Sequence, residues 1–111
     1  MAMGPEAKVK ADVKRLLKSM NIWYYMPVQN GMGVVGIPDF ICCWKGEFVA
    51  IETKAPGKIK NVSANQQARM AEIKRSGGYT LVVDSAEMLG MQLAVMRVVK
   101  RIDGACLHES K

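Results

Sequence analysis

The 111 residues are 50% hydrophobic and 23% charged, a balance that excludes a disordered chain and fits one globular domain covering residues 1–111. Sixteen Lys and Arg against ten Asp and Glu leave a formal charge of +6, which favours a polyanionic partner such as nucleic acid without naming one. No apolar stretch approaches the roughly 20 residues that span a bilayer, and no apolar leader follows the N-terminus, so an intracellular, cytoplasmic protein with no membrane partner is expected.

Pro5 and Glu6 open a first helix, with proline near its first position and an acid in its first turn. Val9, Val13, Leu16, Leu17 and Met20 recur at helical spacing and predict its inward stripe, while Lys8, Lys10, Lys14, Arg15 and Lys18 fall on wetter faces. Residues 22–28 are aromatic and β-branched and read as a first strand. A glycine-rich loop at 30–36 follows. Residues 38–44 and 47–54 read as two strands joined at Lys45-Gly46, and a basic loop at 55–62 carries Lys58 and Lys60. Ser63-x-x-Gln66 is a capping-box pattern starting a second helix that stops at Gly77-Gly78. Residues 79–83 form a short strand, and Ser85 caps a third helix to about Lys100. The expected fold is α/β, in the order α-β-β-β-α-β-α, with a central mixed sheet flanked by helices.

The three cysteines offer little chemistry. Adjacent strand residues point to opposite faces, so Cys42 and Cys43 do not act as a ligand pair. With one His and no CxxC pair, Cys42, Cys43 and Cys106 read as free thiols in a reducing compartment. Cys106-x-His108 reads as part of a mobile C-terminal tail rather than a metal site.

The chemistry lies in the register of the second and third strands. A loop of two residues at Lys45-Gly46, or of four around it, sets Glu52 directly across from Asp39, with Cβ atoms about 4.5–5.5 Å apart. Lys54, two residues beyond Glu52, shares its face. Two opposed carboxylates destabilise a sheet unless something neutralises them, and Mg²⁺ or Mn²⁺ with oxygen ligands does so. The plain alternative is a surface network of ion pairs.

Pro38-Asp39, twelve intervening residues, then Glu52-Thr53-Lys54 match the PD-(D/E)xK nuclease signature. Gly36-Ile37-Pro38-Asp39-Phe40, Ile51-Glu52-Thr53-Lys54, Ser63-x-x-Gln66 and Gly77-Gly78 resemble the VRR-NUC domains of that superfamily, especially the stand-alone phage type, over roughly Glu6 to Val83. The resemblance implies a restriction-endonuclease-like core and a Mg²⁺- or Mn²⁺-dependent endodeoxyribonuclease, in the host cytoplasm if phage-encoded. It implies that Asp39, Glu52, the Thr53 carbonyl and Glu6 serve the metal, with Lys54 beside the attacking water. Gln66 would orient the site, with Gln67 as the fallback one residue on. Glu6 shares a helical face with Val9, Val13 and Leu16, which supports the placement; favourable charge at a helix N-terminus is the competing explanation. For Gln66 that competitor is its role in the capping box.

Lys58, Lys60 and Lys8 are expected to contact DNA phosphates, with Gly33 and Gly36 in a loop close to the scissile backbone. Gly31-x-Gly33-x-x-Gly36 also spells a dinucleotide-binding pattern, but Ile37-Pro38 leads into a strand where that motif needs a helix. Trp23, Tyr24 and Tyr25 include candidates for base stacking, with at least one of them packed against helices. The third helix carries Met88, Leu89, Met91, Leu93, Val95, Met96, Val98 and Val99, more apolar surface than one stripe. That excess predicts a symmetric homodimer through this helix, or a strand near residues 95–102. Two symmetry-related sites, like the resemblance, suit branched DNA such as a four-way junction. The alternatives are a non-catalytic DNA-binding module and an accessory subunit of replication or repair.

Overall fold

A computed structural model describes residues 3–28 and 33–109, with side chains described through residue 99. The elements run α1 (Pro5–Ser19), β1 (Trp23–Tyr25), β2 (Phe40–Trp44), β3 (Glu47–Thr53), α2 (Ala64–Arg75), β4 (Tyr79–Val83) and α3 (Ala86–Glu109). Four strands make one sheet in the order β1-β2-β3-β4, antiparallel up to β3 and parallel between β3 and β4. The expected element order and mixed sheet are borne out.

Local signals set most boundaries. α1 ends where Asn21 takes φ 56° and Ile22 N–H donates to the Leu17 carbonyl at 2.9 Å, a Schellman arrangement that buries Ile22 against Leu17. β1 is shorter than the expected 22–28, because Ile22 belongs to the helix end and Pro27 has no N–H for a ladder. β2 begins at Phe40 rather than Pro38 for the same reason. Lys45 and Gly46 both have positive φ, 52° and 82°, the signature of a two-residue type I′ turn. Trp44 therefore closes on Glu47, and the ladder runs outward to Phe40 opposite Ile51.

Helix α2 carries the complete capping box: Ser63 Oγ accepts from Gln66 N–H and the Gln66 side chain accepts from Ser63 N–H. It ends on Gly77 at φ 97°, with Gly78 N–H donating to the Ile73 carbonyl. As the crossover between β3 and β4, α2 lets those strands run parallel. α3 corrects two expectations. It continues past Lys100 to Glu109, so residues 95–102 form no strand and the backbone at 106–108 is helical rather than a tail. A valine costs a helix only about half a kcal/mol against alanine, so three of them do not break it.

Alternation divides the sheet. Tyr24, Phe40, Cys42, Trp44, Val49, Ile51 and Val83 meet Val9, Val13 and Leu17 of α1 and Leu89, Leu93 and Met96 of α3 in one core. Met20, expected in the α1 stripe, is exposed at the helix end. Burial pushes the Cys42 thiol up to about 12, whereas Cys43 faces water on the opposite side. On that opposite side α2 leans against β4 and leaves Trp23, Tyr25 and Cys43 uncovered. Among the described residues no helix is long and apolar enough to cross a membrane.

Candidate active site

The register that ends with Phe40 opposite Ile51 brings Asp39 next to the end of β3. Asp39 Oδ2 accepts from the Thr53 backbone N–H at 3.0 Å and from Thr53 Oγ1 at 2.6 Å. Lys54 N–H donates to the Val83 carbonyl on the β4 side at 2.9 Å, so by strand alternation the Thr53 N–H and carbonyl face β2. Continued in register, the position facing Thr53 is Pro38, which has no N–H to give that carbonyl. Proline thus frees an acceptor and the aspartate takes the adjoining donor.

Glu52, Thr53 and Lys54 are the buried polar residues of the chain's described part, at 3%, 0% and 9% exposure. Lys54 Nζ lies 3.3 Å from Glu52 Oε2 and donates to Gln66 Oε1 at 3.0 Å. Gln66 Nε2 donates to the same Glu52 oxygen at 2.6 Å. Gln66 therefore serves the capping box and the site together. Gln67 instead donates to the Val62 carbonyl, which removes it as the fallback. Burial, and then the charge of Asp39, push the Glu52 carboxyl above the usual range; Lys54 opposes both.

Three expected residues stand apart from this cluster. Glu6 is half exposed and reaches Asp39 only through Lys10, whose Nζ is 3.8 Å from Glu6 Oε2 and 3.6 Å from Asp39 Oδ1. Lys8 pairs with Asp12 at 3.0 Å and points along α1. Gly36, at φ 86°, is packed against protein: a Cβ there would lie 2.5 Å from the Asn65 carbonyl carbon and 2.8 Å from Gln66 N. Its freedom serves the docking of α2, and through it the placement of Gln66. Gly33, Lys58 and Lys60 are exposed. Lys10 is the residue that sequence reasoning missed; its signal was the four-residue spacing from Glu6.

The donor set suits a hard divalent cation, since every candidate ligand is oxygen. Glu52 Oε1 is buried with no hydrogen-bond partner among the described residues, an unmet acceptor near a second carboxylate, Asp39. Two acids are present rather than three: among the described residues no three His, Cys, Asp or Glu side chains gather as a metal cluster. The neutralisation expected from a metal is partly supplied within the chain, by Lys10 and the Thr53 donors for Asp39 and by Lys54 and Gln66 for Glu52. Comparison with family models, curated proteins and solved structures gives no match.

Proposed function

We propose that this chain is a metal-dependent DNA endonuclease with a restriction-endonuclease-like core, similar to the stand-alone VRR-NUC domains. The observation that carries the reading is the buried Glu52 Oε1, unpartnered and flanked by Asp39 and Lys54. Burying an acceptor without a partner costs about 1–3 kcal/mol, and a cation ligated there offsets that cost. Asp39, Glu52 and the Thr53 carbonyl would hold Mg²⁺ or Mn²⁺, which when bound lowers the pKa of a coordinated water and takes up charge developing on phosphate. Gln66 and Glu52 fix the Lys54 ammonium, so its charge is already in place when the phosphate becomes more negative. The exposed Lys58 and Lys60, with Lys8, would bind flanking phosphates and make affinity fall with salt.

The apolar face of α3 supports a homodimer. Met91, Val95, Val98 and Val99 are exposed, and a groove of about 720 Å³ opens between α3 and β4, lined by Tyr79, Leu81 and Met88 among others. Two sites related by a dyad suit branched DNA, including four-way junctions.

Cleavage of linear, flapped, supercoiled and four-way-junction DNA is the test, run with Mg²⁺, with Mn²⁺ and with chelator. Lys54→Ala is expected to lower the rate at least about 100-fold while DNA binding and the thermal melt persist. A fully active variant removes this site assignment. One observation favours a second reading, a non-catalytic DNA-binding module: each acid already has a lysine partner, Lys10 for Asp39 and Lys54 for Glu52. Failure of the wild-type protein to cut any substrate with metal supports that module.

A further inference from the structure

Two large aromatic side chains on the sheet have no role in the core or the acid cluster. Trp23 is 64% exposed and Tyr25 54%, while Tyr24 between them packs edge-on against Phe40. Strand alternation puts Trp23 and Tyr25 on one face, about 6.7 Å apart along β1. That face is also the one that carries Glu52, since Trp23 pairs with Cys43 and Cys43 with Phe48. Tyr25 pairs with Ile41, and two residues beyond Ile41 the chain reaches Asp39. Trp23, Tyr25 and the acid cluster therefore lie in line, with α2 off to the β4 side.

We propose that Trp23 and Tyr25 form a stacking clamp for an unpaired base of the DNA strand entering the site. A base held between two rings needs a gap of about 6.8 Å, twice the stacking rise of 3.4 Å, and the strand sets the Cα atoms of Trp23 and Tyr25 about that far apart. Aromatic faces hold bases of any sequence, because every base has a π-face to stack on them. Across the ladder on the same face lie Ile41, half-buried, Cys43, exposed, and beyond Cys43 a third aromatic ring, Phe48, 45% exposed. β1 is three residues long and followed closely by Pro27, so this sheet edge is blunted against another strand. The exposed Lys45 at the turn beyond Cys43 adds positive charge for the strand's phosphates. The clamp selects DNA with unpaired bases beside the cleaved bond, such as a flap, bulge or open junction, over continuous duplex.

The inference rests on the nucleic-acid part of the reading above, and its test runs separately from cleavage. The full chain is titrated in chelator with a fluorescent twelve-nucleotide poly-thymidine strand and with the matching duplex, following tryptophan emission and anisotropy. Trp44 is buried, so quenching by the strand reports Trp23. Trp23→Ala with Tyr25→Ala is expected to weaken single-strand binding about tenfold or more, while Trp23→Phe keeps most of the affinity. Both side chains are exposed, so the core is untouched and an unchanged thermal melt serves as the control. Unchanged affinity in the double variant overturns the clamp, as does a wild-type protein whose emission ignores the strand. A change of oligomeric state in the double variant also overturns it, reassigning the face to self-association. If wild type cuts nothing with metal yet the double variant loses strand binding, the clamp stands and the nuclease reading alone falls.

Discussion

Where β2 begins and β3 ends, Glu52, Thr53 and Lys54 are polar and buried; along α3, Met91, Val95, Val98 and Val99 are apolar and exposed. The first region offsets the cost of burying charge with groups from four parts of the chain: Asp39 before β2, Lys54 after β3, Gln66 on α2 and Lys10 on α1. The second region has no such completion among the described residues, where a groove opens between α3 and β4. On the charged side one oxygen, Glu52 Oε1, has no hydrogen-bond partner among the described residues, and the proposed occupant is an ion. On the apolar side several side chains are exposed together, and the proposed occupant is the same helix of a second copy. The two proposals are tested by supplying or denying the proposed partner.

The largest expected effect is on the apolar side. Met91→Glu with Val95→Glu places two like charges on the exposed stripe, which a symmetric contact would bring together from both copies. Wild type is expected to run as a dimer at micromolar concentration in size exclusion with light scattering. The double variant is expected to dissociate with an affinity at least about 100-fold lower, roughly 2.7 kcal/mol of association free energy. A monomeric wild type breaks the comparison, because α3 would then be exposed for some purpose other than self-pairing.

The two regions also differed in how far the sequence revealed them. The Asp39–Glu52 relation was legible because a two-residue turn with Gly46 leaves one register, and register alone decides which residues face each other. The capping box of Ser63 and Gln66 and the stop at Gly77-Gly78 were legible because they act within a few residues. For Lys10 only half was legible: its spacing from Glu6 is a helical pattern, but its approach to within 3.6 Å of Asp39 is a tertiary fact that periodicity does not carry. The packing role of Gly36 was hidden for a similar reason: the backbone of Asn65 and Gln66, far along the chain, leaves no room for a Cβ there. The reach of α3 was missed because Val95, Val98, Val99 and Ile102 are β-branched and also allow a strand, whereas the helix runs through them.

A smaller effect sharpens the charged side. Burial and Asp39 raise the Glu52 carboxyl above its unfolded value, so the folded state holds that proton more tightly than the unfolded chain. Its contribution to stability is complete below the ordinary carboxylate range and is lost as pH climbs through the raised value. In chelator, Glu52→Gln is therefore expected to melt a few degrees above wild type at pH 8, and the gap should close at pH 4. Glutamine keeps an oxygen for Gln66 and Lys54 to donate to. Mn²⁺ at about 100 times its dissociation constant adds about 2.7 kcal/mol to wild type and should reverse the order at pH 8. If Mn²⁺ raises both melts equally, the cation is binding elsewhere.

The smallest effect tests whether Lys10 belongs to the site or merely lies near it. Its ammonium is 3.6 Å from Asp39 Oδ1, so a divalent ion ligated by Asp39 would meet a fixed positive charge. Lys10 is 36% exposed, and solvent screens much of that repulsion. Lys10→Gln is accordingly expected to tighten Mn²⁺ binding only about threefold by calorimetry, with a smaller gain at high salt. Lys8→Gln removes the same charge two residues away, from a lysine that pairs with Asp12 rather than with Asp39, and should leave the affinity unchanged. Equal tightening by both variants would mean that net charge governs the ion, and Lys10 would lose its claim on the site.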